Sequence, residues 1–120
     1  MSGPHKSNPK LLKLIEELKR HSYENEAPIW KDIARRLSKP RRNWAVVNLS
    51  KVSRYAKEGE VIVVPGKLLG AGAIDKTVTV APFQTSNAAK RKIIASGGSV
   101  ISIEELVDRN PKGSGVRIMR

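Results

Sequence analysis

The two histidines are the first residues to test for chemistry, because the chain has no cysteine. His5 lies in a polar N-terminal stretch, and His21 lies near the predicted end of a helix. A hydrolytic zinc site needs three or more converging ligands, and a serine triad needs a histidine beside a Gly-x-Ser-x-Gly turn that this sequence lacks. Both histidines are therefore predicted to be solvated surface groups, and the sequence predicts no metal site.

The glycine-rich segment 66–72 is the second candidate, since glycine loops can cradle phosphates. A Walker loop needs Gly-Lys followed by Ser or Thr. The nearest equivalent, Lys112-Gly113-Ser114, has the wrong order. Gly70-x-Gly72 followed by Asp75 lacks the third glycine of a dinucleotide fingerprint. We predict a plain turn and no nucleotide cofactor.

The carboxylates also carry no sign of acid–base work. Glu16 and Glu17 fall on a solvated helix face, and Glu104 and Glu105 fall in a first helical turn. Neither pair has the apolar setting that tunes a carboxyl group for proton transfer. The chain is predicted not to be an enzyme, with no cofactor.

Positive charge is the strongest signal. The chain has 23 Lys and Arg against 11 Asp and Glu, a net charge of +12. Residues 31–57 carry nine cations and one acid, so 27 residues hold +8 and the other 93 hold +4. Such a domain attracts a polyanion. Arginine can also contact phosphate bidentately and stack on bases, so nucleic acid is favoured.

A membrane partner is not predicted. The N-terminus has no apolar segment typical of a secretory signal, and the longest apolar run, 61–64, is far too short to span a bilayer. No basic amphipathic helix with exposed aromatics stands out. We expect a soluble, cytoplasmic protein with no small-molecule substrate, and not an obligate homo-oligomer.

The elements that must position the cations form an α/β domain with a helical N-terminal part. Apolar periodicity predicts helices over 8–20 and 28–37, followed by a basic breaker over 38–43. Further along the chain, the pattern predicts strands at 44–49, 61–64, 77–80 and 99–101, and helices at 50–57, 87–96 and 102–107. Pro65-Gly66 is expected to end the second strand. The helix spacing predicts packed rings for Trp30 and Tyr55, which leaves Trp44 as the aromatic best placed for RNA.

Several stretches together resemble ribosomal protein eighteen-e of the archaeal and eukaryotic large subunit. They are 47–55 (VNLSKVSRY), 63–70 (VVPGKLLG), 77–81 (TVTVA), 86–93 (SNAAKRKI) and 97–106 (GGSVISIEEL). The resemblance implies an irregular β-β-α superhelical core behind a basic, helical N-terminal region, and a relation to bacterial large-subunit protein fifteen. It also implies binding to large-subunit ribosomal RNA and to neighbouring ribosomal proteins, without catalysis. The ending at Arg120 resembles archaeal members, since eukaryotic ones are longer.

We therefore expect a single domain, with a basic helical part over 1–44, an α/β core over 45–109 and a basic glycine-rich tail over 110–120. The predicted function is that of a structural constituent of the large ribosomal subunit that stabilises folded ribosomal RNA. Two alternatives are a DNA-compacting protein, for which no groove-reading element is evident, and an RNA-modifying enzyme, for which Lys67 and Asp75 are the discriminating positions. The residues expected to bind RNA are Lys31, Arg35, Arg36, Lys39, Arg41, Arg42, Asn43, Trp44, Lys51, Arg54, Lys57, Lys67, Lys112, Arg117 and Arg120.

Overall fold

A computed structural model describes residues 8–120, which divide into two compact units. The helical unit comprises 8–44 and Glu104–Ser114, and the sheet unit comprises Ala45–Ile103 and Gly115–Arg120. In these residues five α-helices accompany a five-stranded parallel sheet, which confirms the predicted α/β class. His5 lies outside the described residues.

The elements follow one another in the order α1 (Pro9–Asn25), α2 (Pro28–Leu37), a 3-10 helix (Arg41–Asn43), β1 (Ala45–Asn48), α3 (Leu49–Tyr55), β2 (Val61–Leu69), β3 (Thr79–Thr85), α4 (Asn87–Ala95), β4 (Ser99–Val100), α5 (Ile103–Arg109) and β5 (Val116–Ile118).

Helix α1 begins as predicted but runs five residues further. The Asn8 side chain accepts hydrogen bonds from the Lys10 and Leu11 backbone N–H groups at 3.0 and 3.3 Å. These bonds satisfy N–H groups that a helix start leaves without partners. No glycine or proline interrupts the chain before Pro28, so the helix continues until Glu26 adopts a left-handed conformation with φ 51°.

The core of the helical unit lies between α1 and α2. Their buried apolar residues recur at helical spacing: Leu11, Leu14, Ile15 and Leu18 in α1, and Trp30, Ile33, Ala34 and Leu37 in α2. The Trp30 indole N–H donates to the Pro111 carbonyl at 2.7 Å. Gly113 has φ +69°, and a Cβ atom there would lie 2.4 Å from Ile29 Cγ2. Part of the predicted tail therefore belongs to this unit.

Strand β2 organises the sheet unit. It pairs with β5 through 61–63, with β1 through 66–69, and with β3 along most of its length, while β4 pairs with β3. All pairs are parallel, and a parallel sheet needs strands that are apolar on both faces. The core here consists of Val47, Leu49, Val52, Ala56, Ile62, Val64, Leu68, Ile74, Val78, Val80, Ala89, Ile93 and Met119.

The expectation that Pro65-Gly66 ends a strand is wrong. β2 continues through both residues, and its pairing with β3 shifts register between Val64 and Lys67. Such an irregularity accommodates a proline, which cannot donate a ladder hydrogen bond. Gly66 pairs with Ala45, and a Cβ atom on Gly66 would lie 2.0 Å from the Ala45 carbonyl oxygen. The glycine therefore permits a close approach of β1.

Two further strand boundaries differ from the prediction. β3 begins at Thr79 and passes through Pro82, which pairs with Val64, to end at Thr85. β5 lies in the stretch predicted to be a tail, and the Met119 N–H that follows it donates to the Val63 carbonyl at 3.0 Å. The apolar–polar–apolar alternation of β5 spans only three residues, too few to predict a strand, so its pairing partner determines it.

The close approach at Gly66 predicts the effect of a single methyl group. Gly66→Ala should lower the free energy of unfolding by about 3 kcal/mol, because overpacking a tight contact displaces backbone rather than a flexible side chain. Gly59→Ala is the matched control, since its Cβ atom would meet nothing within 4 Å and only the positive φ of +80° opposes it, at about 1–2 kcal/mol. Urea unfolding measures both. Equal losses would contradict the close approach.

Candidate nucleic-acid interface

Helix α2 presents the first group of cations. Its apolar row is buried, while Lys31 and Arg35 are exposed and Arg36 is partly buried. Arg35 and Arg36 both donate to the same Asp32 carboxylate oxygen, at 2.7 and 3.1 Å. One carboxylate thus orients two guanidinium groups, and the three cations together with Asp32 keep a net charge of +2.

A groove of about 490 Å³ runs beside these residues and adds a cation that the sequence analysis missed. It is lined by Lys19, Pro28, Lys31, Asp32, Arg35 and Ser38. Lys19 comes from α1, outside the 31–57 cluster, and reaches the groove because α1 and α2 pack together. Only the helix pairing could reveal it, since the sequence around Lys19 does not distinguish it from the other lysines of α1.

The basic loop between α2 and β1 is held from within by Trp44. The Trp44 indole N–H donates to the Lys39 carbonyl at 3.1 Å, and the Asn43 N–H donates to the Pro40 carbonyl at 2.8 Å. The Arg41 guanidinium lies over the Trp44 ring at 5.0 Å from its centroid. These contacts shape the loop into a 3-10 turn that exposes the side chains of Arg41, Arg42 and Asn43.

The exposures of two aromatic rings differ from the prediction. Trp44 is only 6% exposed, so it positions the loop and offers no free face to a base. Tyr55, which was expected to pack, is 51% exposed. The difference arises because α3 is only seven residues long, and its buried residues are Leu49 and Val52. Trp30 is fully buried, as predicted.

The sheet unit presents a separate group of cations. Lys51 and Arg54 project from α3, Lys57 follows it, and all three are exposed. Lys67 is the one exposed residue among the buried positions 62–68 of β2. Lys67 lines a groove of about 500 Å³ with Leu68, Leu69, Gln84, Thr85 and Ser86.

Two of the three cations predicted to bind RNA in the last eleven residues, Lys112 and Arg117, bind groups of the protein itself. Lys112 donates to the Asn25 carbonyl at the end of α1, at 3.0 Å. Arg117 pairs with Glu60 at 2.7 Å. Arg120 is exposed, and its carbonyl oxygen accepts a hydrogen bond from Lys51. The Lys112 contact leaves the lysine charge in place, whereas Glu60 offsets the charge of Arg117.

The fifteen candidate residues thus divide between the two units. The helical unit holds Lys31, Arg35, Arg36, Lys39, Arg41, Arg42, Asn43, Trp44 and Lys112, and the sheet unit holds Lys51, Arg54, Lys57, Lys67, Arg117 and Arg120. Three further exposed cations, Lys90, Arg91 and Lys92, lie on α4, a helix without an acid, and are not among the fifteen predicted residues. That run was visible as a motif but lay outside the densest charge window.

Two of the groups first tested for chemistry are neighbours in the part of the chain that the structure describes. His21 lies 3.7 Å from Glu17 on the same helix. Among residues 8–120 no group of three or more His, Asp or Glu side chains could hold a metal ion. Within the same range, none of the helices has the length and apolar character needed to cross a membrane.

The carboxyl group of Glu60, in the sheet unit, is fixed by two hydrogen bonds. Burial alone raises the pKa of Glu60, but hydrogen bonds from Arg117 and the Lys57 N–H, together with their charges, hold it below its usual value. A carboxyl group whose pKa is lowered in the folded state stabilises the fold at pH values above the pKa that the same group has in the unfolded chain. That contribution is lost as pH falls through the folded-state pKa.

Glu60→Gln should therefore cost stability at pH 7 and less at pH 3, because the stabilisation by the wild-type carboxylate declines as pH falls towards its lowered pKa. Urea unfolding at the two pH values measures the difference between the variant and the wild type. Glu104→Gln, which neutralises an exposed carboxylate, is the control. A Glu60→Gln cost that stayed constant from pH 7 to pH 3 would show that the ion pair contributes nothing.

Comparison with known proteins bears out the resemblance seen in the sequence. The family described as ribosomal protein 60S L18 and 50S L18e matches residues 3–120. A Methanococcus maripaludis protein named large ribosomal subunit protein eL18 is 55% identical over 94% of each chain. A protein of the same name from Methanospirillum hungatei is 56% identical over 96% of this chain and 95% of its own.

An Archaeoglobus fulgidus protein, again named large ribosomal subunit protein eL18, is 55% identical over 95% of this chain and 97% of its own. The alignments leave only a few residues of either partner unmatched. With a family match from residue 3 to residue 120 and more than half of the aligned residues identical, the chain belongs to the family of ribosomal protein 60S L18 and 50S L18e.

Proposed function

We propose that this chain is a structural constituent of the large ribosomal subunit that binds and stabilises folded ribosomal RNA. The observation that carries the proposal is the near-complete alignment with archaeal proteins of the large subunit. The chain works in the cytoplasm as part of the ribosome, supports subunit assembly and translation, and has no turnover. Its partners are large-subunit ribosomal RNA and neighbouring ribosomal proteins, with no membrane, no small-molecule substrate and no obligate homo-oligomer.

The exposed cations supply the binding energy through phosphate neutralisation. Each phosphate that a lysine or arginine neutralises releases a condensed counterion, so affinity falls as salt rises. In the helical unit Lys31, Lys39 and Arg42 are exposed, and in the sheet unit Lys51, Arg54 and Lys67 are exposed. The folded RNA is recognised by shape and backbone, since no side-chain arrangement in 8–120 presents a base-reading module.

Sedimentation of the tagged chain in Methanococcus maripaludis lysate tests the proposed location. On sucrose gradients at low and moderate salt, the chain should migrate with the large subunit in both. Migration as a free protein at moderate salt would contradict an integral role, and migration with DNA would favour a DNA-compacting protein.

Salt titration with Methanococcus maripaludis large-subunit ribosomal RNA tests the mechanism. If about six phosphates are neutralised, raising salt from about 50 to about 200 mM should weaken binding about a thousandfold or more. The double variant Lys39→Ala, Arg42→Ala should reduce the salt slope by about two and weaken binding to the same extent on different RNA segments.

The matched control removes the same charge elsewhere. Lys10→Ala, Lys13→Ala takes two cations from a stretch of α1 that borders Glu17, Glu104 and Asp108. It should change the slope far less, because these lysines stand among carboxylates that repel phosphate. Equal effects of the two double variants would mean that net charge, rather than the loop, determines binding.

A further inference from the structure

Tyr55 is a half-exposed aromatic side chain that lies outside the buried apolar row of its helix. Helix α3 buries Leu49 and Val52, and Ala56 just after it is also buried. Tyr55 lies off this apolar row with 51% of its surface exposed. An exposed aromatic ring leaves apolar surface in water, which burial would otherwise turn into stability.

The surroundings of the ring are positively charged. The Arg54 guanidinium lies 5.9 Å from the ring centroid, and Lys51 is exposed on the same helix. The Lys76 ammonium group donates to the Ser53 and Ala56 carbonyls at 2.5 and 2.7 Å, which fixes the last turn of α3. Lys76 therefore fixes the backbone on both sides of Tyr55. The two carbonyls are neutral, so they leave the charge of Lys76 in place.

The carboxylates nearest in sequence are directed to other groups. Glu58 accepts hydrogen bonds from the Thr77 N–H at 3.1 and 3.2 Å, and Glu60 is paired with Arg117. Helix α3 itself contains no acidic residue. The face that carries Tyr55 thus combines a flat apolar surface with cations, which is the chemistry that single-stranded nucleic acid requires.

We propose that Tyr55 is a stacking platform for an unpaired base of RNA, with Lys51 and Arg54 neutralising the phosphates that flank it. This inference rests on the proposed function and adds a base contact to a backbone-binding protein. Base pairing within a duplex hides base faces, so the ligand is a base in a loop, bulge or single-stranded segment. Stacking on tyrosine tolerates any base, because every base has a π-face.

The chain contains its own control tyrosine. Tyr23 is 87% exposed in α1, and Glu24 and Glu26 follow closely. Its ring is more accessible than that of Tyr55, but Glu24 offsets the charge of the neighbouring Arg20 and Glu26 adds a negative charge, so this ring lacks the cationic surroundings of Tyr55. If exposure alone determined base binding, Tyr23→Ala would weaken it more than Tyr55→Ala. The stacking proposal predicts weaker binding for Tyr55→Ala only.

The experiment compares the full chain with Tyr55→Ala, Tyr55→Phe and Tyr23→Ala. The probes are Methanococcus maripaludis large-subunit ribosomal RNA, oligoadenylate, and an abasic ribose-phosphate strand of the same length as the oligoadenylate. The wild type should bind oligoadenylate more tightly than the abasic strand. Tyr55→Ala should weaken oligoadenylate binding by about tenfold, within the range of measured base–aromatic stacking, and should remove the preference.

The remaining readouts separate stacking from charge and from folding. The salt slope of Tyr55→Ala should equal that of the wild type, since no cation is lost. Tyr55→Phe should retain the preference for bases, and Tyr23→Ala should behave as the wild type. Urea unfolding should show little change in Tyr55→Ala, because the ring is half exposed.

Three results would overturn the inference. The first is a wild type that binds the abasic strand as tightly as oligoadenylate. The second is a preference that persists in Tyr55→Ala. The third is reduced incorporation of Tyr55→Ala into large subunits at unchanged RNA affinity, which would assign the ring to a protein contact. In each case the effect of Lys39→Ala, Arg42→Ala on ribosomal RNA still reports on the proposed function independently.

Discussion

The sheet unit depends on strand β2, whose backbone pairs with three other strands. β5 and β1 pair with its two successive segments, 61–63 and 66–69, and β3 pairs along it in two registers. Because side chains in a strand alternate between faces, a register error of one residue would turn buried groups outward. The irregularity at Pro65-Gly66 separates the two segments, so each can hold its own register. Loss of that irregularity would misplace β1 or β5.

Several internal contacts of the cations position charge without cancelling it. Lys76, Lys92 and Lys112 each donate to backbone carbonyls, which carry no net charge. Arg41 lies over the Trp44 ring. Carbonyl and aromatic partners orient a cation and leave its charge available to phosphate, whereas a carboxylate would offset it. The cations are therefore oriented and repel one another. An RNA partner relieves this repulsion, and salt screens it in the free protein.

The sequence was sufficient for the elements whose signals are local. The starts of α1 and α4, the apolar row of α2 and the α/β class all follow from spacing and residue type. Features set by contacts distant in sequence were not predictable. The sequence around Gly66 predicts a turn, and the close approach of Ala45 is not visible in it. β5 is too short to be predicted without its pairing to β2.

The candidate site shows the same division between local and distant signals. The charge cluster and the arginine pairs are evident in the sequence, but the exposures of Trp44 and Tyr55 are the reverse of what helix spacing and loop composition indicate. Lys19 reaches its groove only through helix packing. Charge content is thus a property of the sequence, whereas the accessibility of each charge or ring is decided by packing.

The path of the chain between the units has a consequence for synthesis. The chain passes from the helical unit to the sheet unit after Trp44, returns after Ile103, and enters the sheet unit again after Ser114. The helical unit therefore lacks Pro111, the hydrogen-bond partner of Trp30, until β1, β2, β3 and β4 have all been made. The sheet unit in turn waits for β5. Neither unit can complete its folding in the order of translation, so a nascent chain exposes unfinished edges of both units until residues 104–118 emerge.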